Sequence, residues 1–310
     1  MAKKKIAISI GDINGIGIEI ALRAHKSVEQ IVQPLYIIDK KLLKKAAKLL
    51  NLKVPKSFFT YPLNYPDFQI EPGRHSKESG EYSFLSFQKA VELAQEGEAD
   101  AVTTLPINKK SWELAGVKYV GHTDYLREHF QKEAIMMLGC PKLFVALYTE
   151  HIPLKKVAKR VKTKPLTKFL LDFAREAASK KPIAVLGLNP HAGDGGVLGD
   201  EERKIEKAIQ KANRILKREQ FTGAIVPDIA FTPHFRRNYQ YMVAMYHDQG
   251  LAPLKALYFD ESINVSLNLP ILRTSVDHGT AFDIAYKKGR EVNLQSYLNA
   301  IEYAAGRIKN

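Results

Sequence analysis

The chain reads as an α/β fold: two α/β/α lobes, each a mostly parallel sheet with helices on both faces. Three observations predict this. Short β-branched runs alternate with longer amphipathic patterns of helical period, as strands and covering helices do in α/β proteins. At 310 residues and 45% apolar content the chain can bury one large or two medium cores. Four segments (GHTDYL, NPHAGD, MYHDQG and VDHGTAFDIA) set a histidine beside Gly, Asp, Asn or Thr, and three of them follow or lie close to an apolar run. In such folds, strands end in polar loops on the side where ligands bind.

Strands are predicted over residues 5–10, 35–38, 101–104, 143–148, 183–187, 223–226, 242–246 and 263–267. Helices are predicted near 15–25, 41–50, 82–95, 123–130, 166–179, 201–217, 251–257, 280–288 and 294–308. The 201–217 pattern is strongly amphipathic. Ile205, Ala208, Ile209, Ala212, Ile215 and Leu216 mark one face, while Lys204, Glu206, Lys207 and Lys211 fill the other. Asp200 is a plausible N-cap. Residues 61–74 form the one long irregular stretch. No repeat or flexible linker marks a clean boundary. The lobes are drawn as 1–125 with 275–310, and 126–274, with the active site expected in the cleft and the chain crossing more than once.

The formal net charge of +14 raises the question of a nucleic-acid partner. The densest basic run, Lys155 to Lys164, carries no interleaved aromatics and no accompanying binding motif. It reads as a solvated surface that favours anionic substrates, so no nucleic-acid partner is expected. No apolar run reaches about 18 residues, so no membrane span is expected. The basic start followed by Ile6 to Ile10 stops at Gly11-Asp12, which suits a first strand better than a signal peptide. The lone Cys140 excludes an intrachain disulfide and a multi-cysteine zinc site; the cytoplasm is the expected compartment.

Four regions can carry chemistry. The glycines of GDINGIG (11–17) open a helix after the first strand; they suit either a ligand approach or a tight turn, and the spacing is not G-x-G-x-x-G. TTLPINK (103–109) runs a buried strand into a loop with Lys109, and together with His122 and Thr123 it could hold a phosphate or carboxylate. The bland alternative is that Thr123 caps a helix and His122 is exposed. His151, His191 and His247 each follow an apolar run, and three imidazoles with an open position suit a catalytic divalent metal. Asp194 and Asp248 are close enough in sequence to act as further ligands or orienters. Lys255 is a charge on an apolar helix, followed by Asn264 and Arg273; a Lys and an Arg near a metal suit a doubly anionic substrate. His25, His75, His129 and His234 read as surface or structural.

As a set, GDINGIG, TTLPINK, GHTDYL, NPHAGDGGVLGDEE, MYHDQGLAPLK, INVSLNLP and RTSVDHGTAFDIA closely resemble the 4-hydroxythreonine-4-phosphate dehydrogenase (PdxA-type) family, in order and spacing from Ile6 to about Ala285. The resemblance implies a fold like that of isocitrate and isopropylmalate dehydrogenases. It implies NAD- and metal-dependent oxidation of 4-phosphohydroxy-L-threonine, followed by decarboxylation, in pyridoxal 5'-phosphate synthesis. It places the metal ligands on His151, His191 and His247, for zinc, cobalt, magnesium or manganese. It places substrate contacts on His122, Thr123, Lys255, Asn264 and Arg273. Lys255 and Asp248 are the candidates for catalytic roles, Lys255 as proton relay or carboxylate clamp. Gly279 and Asp283, in a segment similar to HGSAPDIA, are the candidates for NAD. A homodimer with a shared metal site is implied. Relatives in the same family that oxidise D-threonate or D-erythronate 4-phosphate offer the alternative substrate. The chain departs from the family pattern at Asp12-Ile13-Asn14, where Asp-Pro-Ala is commoner, at Ile18, where a Pro is usual, and at Glu150, where a Thr or Ser is.

Overall fold

A computed structural model describes residues 3–307; the expectations for Met1, Ala2 and Ile308 fall outside the described residues. The chain divides into two compact units, one running to Lys132 and resuming at Ile263, the other spanning Glu133–Ser262.

The first unit begins β1 (Lys5–Ser9), α1 (Gly17–Ile31), β2 (Gln33–Ile37), α2 (Lys40–Leu50), β3 (Thr60–Tyr61), α3 (Lys77–Gln95), β4 (Ala101–Thr104), α4 (Lys109–Leu114) and α5 (His122–Phe130). The second unit holds β5 (Ile135–Cys140), β6 (Leu143–Leu147), α6 (Val157–Arg160), α7 (Thr163–Ala177), β7 (Ile183–Leu186), α8 (Glu201–Leu216), β8 (Phe221–Ile225), α9 (Pro227–Ala230), α10 (Pro233–Arg236), β9 (Tyr241–Ala244) and α11 (His247–Tyr258). The chain then returns to the first unit with β10 (Ile263–Leu267), β11 (Arg273–Val276) and α12 (Gln295–Arg307).

In the first unit the strand order is β3-β2-β1-β4-β11-β10, parallel except for the β10–β11 pair. Strand alternation divides its side chains between two cores. Ile6 and Ile8 meet α1, α2 and α12 residues such as Val28, Leu42 and Ile301. Ala7, Ile37 and Val102 meet Phe87 of α3, Trp112 of α4 and Leu126 of α5. In the second unit the order is β5-β6-β9-β7-β8, parallel except for β5–β6. One face packs Val145, Leu186 and Ala244 with Leu251 and Leu254 of α11. On the other, Tyr241 stacks on Phe144 and meets Phe173 of α7 edge-on. The predicted α/β class, mostly parallel with helices on both faces, is the fold found.

The structure corrects the sequence reading in several places. Residues 263–274, expected in the second lobe, belong to the first unit because β11 hydrogen-bonds β4 and carries β10 with it. Residues 126–132 follow suit, since Leu126 of α5 is fixed in the first core. The helix expected at 280–288 does not form. Ala281 and Tyr286 adopt positive φ, and the segment packs instead against the glycine turn at 11–17: Ile16 donates to the carbonyl of Thr280, and Tyr286 Oη donates to that of Ile13. Strand β5 was missed because its Met-rich sequence carries a single β-branched residue, Ile135, although all six positions are buried. Asp200 occupies the N-cap position of α8 without a side-chain capping bond. The basic run from Lys155 is the solvated surface its sequence suggests: its cations are exposed, and only Val157 and Val161 turn inward.

Candidate functional site

In the first unit, neighbouring strands present a polar face around Arg273. Ser266 of β10 lies directly across the antiparallel ladder from Arg273, with Asn264 two residues away on the same face. The parallel neighbour β4 supplies Thr104. Arg273 is 3% exposed. It donates to Thr104 Oγ1 from Nε at 3.2 Å and from Nη2 at 2.7 Å, and to Ser266 Oγ from Nη1 at 3.3 Å. A further bond joins Nη2 to Nδ1 of His122 at 3.0 Å. All these partners are neutral. Burial pulls the Arg273 pKa down to about 9, with no carboxylate acting on it, so the cation persists at neutral pH.

His122 starts α5 and is buried, which overturns the exposed alternative; Gly121, not Thr123, holds the N-cap position. Its ring meets Phe87 and Trp112 edge-on at 4.5 and 5.5 Å. Burial, then the Arg273 charge, lower its pKa well below the usual histidine value, so the ring is neutral. Its Nε2, like Asn264 Oδ1, is buried without a hydrogen-bond partner. Thr123 follows on the same turn, partly buried. Lys109, expected to join this group, is exposed at the start of α4. A buried cation held only by neutral groups, beside an imidazole nitrogen without a partner, is built to receive an oxyanion.

The glycine turn is a tight strand-to-helix connection. Gly11 has φ +68°, and a Cβ there would lie 2.1 Å from the carbonyl oxygen of Pro106. Asp12 beyond it is fully buried, and burial raises its pKa. Asn14, one of the family departures, pins the 71–76 loop: its Oδ1 accepts from Glu71 N at 2.8 Å, and its Nδ2 donates to Arg74 O and Ser76 Oγ at 3.0 and 3.2 Å.

In the second unit, His151 follows β6, His191 follows β7, and His247 opens α11 after β9, so all three lie beyond carboxyl ends of strands. Gln249 ties two of these ends together, accepting from Met245 N and donating to Gly187 O, each at 2.7 Å. Thr149 Oγ1 donates to Met245 O at 2.7 Å, adding the end of β6. The rings of His151 and His247 approach to 5.5 Å between centroids. His247 Nδ1 lies 2.7 Å from Asp248 Oδ1, a carboxylate–imidazole contact of the kind that supports a metal-ligating histidine. The pair therefore fits a divalent cation in donor chemistry. His191 is exposed on a loop in which residues 191–195 all have positive φ, and among the described residues no three such side chains sit at coordination spacing. The structure thus brings together two of the three expected ligands.

Lys255 lies on α11, half-buried, with Nζ 5.7 Å from the Phe259 ring centroid. Gly279 and Asp283 are exposed on the irregular segment after β11. Sequence reasoning missed Thr104 and Ser266, the supports of Arg273, and Glu202, which anchors the His191 loop. The available signal was a polar residue inside an otherwise buried strand, as at Thr104.

The chain matches the family "Pyridoxal phosphate biosynthetic protein PdxA" over residues 30–304. It is 59% identical over 304 residues to a 4-hydroxythreonine-4-phosphate dehydrogenase of Sulfurimonas denitrificans, covering 98% of each chain. It is 55% identical over 305 residues to one of Campylobacter fetus, again covering 98% of each. The crystal structure of a 4-hydroxythreonine-4-phosphate dehydrogenase from Burkholderia phymatum superposes with a TM-score of 0.82 at 32% identity over the full length of both chains. The chain belongs to the PdxA family.

Proposed function

We propose that the protein is an oxidoreductase that oxidises 4-phosphohydroxy-L-threonine with NAD and releases CO2, in pyridoxal 5'-phosphate biosynthesis. The observation that carries this reading is Arg273: a buried guanidinium on neutral partners suits a phosphorylated, carboxylated substrate. The names of the relatives supply the substrate.

In the proposed reaction the C3 hydroxyl loses its proton and C3 gives a hydride to C4 of the nicotinamide. The product, 2-amino-3-oxo-4-(phosphooxy)butanoate, is a β-keto acid. Its carboxylate leaves as CO2, the bonding electrons pass to the ketone, and C2 takes a proton to give 3-amino-2-oxopropyl phosphate. Arg273, His122, Asn264 and Thr123 hold an anionic end of the substrate, which anchors it for both steps. Lys255 moves a proton or clamps the carboxylate. His151, His247 and His191 are the proposed holders of a divalent cation, with Asp248 orienting His247. Such an ion, when bound, would acidify the hydroxyl and polarise the ketone. Gly279 and Asp283 are proposed for the adenosine end of NAD. The working form is proposed to be a cytoplasmic homodimer sharing its metal sites.

The test is NADH formation by protein supplied with a divalent metal, comparing 4-phosphohydroxy-L-threonine with D-erythronate and D-threonate 4-phosphates. Preference for the amino acid phosphate supports the proposal. Preference for an aldonate phosphate moves the enzyme to sugar-acid chemistry, and no turnover with any of them overturns it. His191→Ala and His247→Ala should each abolish turnover, and mixing the two inactive proteins should restore some if the metal site is shared between copies.

A further inference from the structure

We infer that Thr104 is a positioning residue that, through Arg273, locks His122 as the neutral Nε2–H tautomer, making His122 a fixed hydrogen-bond donor to a substrate oxyanion. A guanidinium carries five N–H donors and no acceptor. At the 3.0 Å contact between Arg273 Nη2 and His122 Nδ1, Arg273 must therefore donate and Nδ1 must accept. A neutral imidazole accepting at Nδ1 carries its proton on Nε2. That nitrogen is buried and has no protein partner. The remaining freedom is ring orientation, and the edge-on contacts with Phe87 and Trp112 restrict it.

The lock depends on where the guanidinium plane sits. Thr104 Oγ1 accepts from both Nε and Nη2, the same edge that reaches His122, and Thr104 is fully buried. Ser266 holds the other nitrogen less closely, at 3.3 Å. Without the Thr104 hydroxyl, the guanidinium loses the acceptor that aligns it, and Nδ1 becomes free to carry the proton. The acceptor for Nε2–H is an oxyanion, either a phosphate or a carboxylate oxygen. This ligand half rests on the anion-site reading proposed above; the tautomer half does not.

The test uses protein labelled with nitrogen-15 at histidine, the His122 signals being assigned by their loss in His122→Gln. The wild-type protein should show an Nε2-protonated neutral ring. An Nδ1-protonated ring or an imidazolium at neutral pH overturns the proposal, whatever the enzyme turns over. Thr104→Val, which keeps the shape and removes the hydroxyl, should give a mixture of tautomers. It should also raise KM for the substrate about tenfold, corresponding to one lost charged hydrogen bond, with a smaller effect on kcat. Thr104→Ser should restore both. A Val variant with wild-type signals overturns the role of Thr104. Inorganic phosphate and L-threonine serve as separate probes: a shifted Nε2 signal with one of them identifies the oxyanion source, and no shift with either overturns the donor role.

Discussion

Glu202 and Asn189 form a closed amide–carboxylate pair: Glu202 Oε1 accepts from Asn189 N at 2.8 Å while Glu202 Oε2 accepts from Asn189 Nδ2 at 2.9 Å. The same Oε1 accepts from Leu188 N at 2.8 Å. Burial pushes the Glu202 carboxyl up, but its hydrogen bonds outweigh that and hold the pKa below the usual value. Its position in the first turn of α8 adds the favourable helix-terminus field. The pair clamps the base of the loop that carries His191 through six successive residues of positive φ, 191–196.

Replacing Glu202 by Gln should therefore lower unfolding free energy by about 2–3 kcal/mol, because charged hydrogen bonds are lost and an amide NH2 is turned toward backbone N–H donors. Urea denaturation monitors this. With its native pKa depressed, Glu202 contributes stability above the unfolded carboxyl value that is lost as pH falls through the native one; the Gln variant should be correspondingly less sensitive to acid.

His122 predicts the same direction of pH dependence in a different range. Its native pKa lies well below 6.5, owing to burial and then Arg273, so below about 6.5 the unfolded chain binds a proton that the native ring refuses. Stability should fall with pH there at up to about 1.4 kcal/mol per pH unit. His122→Gln should remove that part of the slope while His25, also lowered by burial, keeps its own share. Chemical denaturation at several pH values distinguishes the two.

Gly250 is where α11 meets the sheet. A Cβ there would stand 2.7 Å from Val145 Cγ1 and 2.9 Å from the Ala244 Cβ, both in the second unit's core. Gly250→Ala should cost about 1–3 kcal/mol through overpacking. It should also tilt the helix that begins at His247, so divalent-metal affinity measured by calorimetry should drop with it.

Long-period patterns made most of the fold legible in the sequence. The α8 stripe of Ile205, Ala208, Ile209 and Ala212 is buried as its spacing requires, whereas Ile215, expected on the same face, is exposed at the helix end and Leu216 is only partly buried. Segments that owe their shape to contacts far along the chain were not legible. Residues 280–288 have helical composition, yet the Thr280 carbonyl and the Tyr286 hydroxyl serve the turn at Ile16 and Ile13. Strand β11, with Arg-Thr-Ser-Val, looks like a loop in sequence because its polar side chains face a site rather than solvent. The histidines stood out by type and context. The groups that aim them did not: Thr104, Gln249 and Glu202 are ordinary residues until the fold sets them beside Arg273, Met245 and Asn189. Asn14 is likewise an ordinary residue in sequence, yet its side chain ties down the 71–76 loop through Glu71 N and Arg74 O.

The isolated charge of Arg273 reaches beyond recognition. A folded chain that buries a cation among neutral partners is held below its attainable stability, and an anion settling beside that cation raises it; at a hundred times Kd the gain is about 2.7 kcal/mol. Protease digestion should then be slower with inorganic phosphate than with an equal ionic strength of chloride, and this protection should vanish in Arg273→Met. If the proposed phosphorylated substrate is that anion, its supply would set how long the folded chain resists proteolysis.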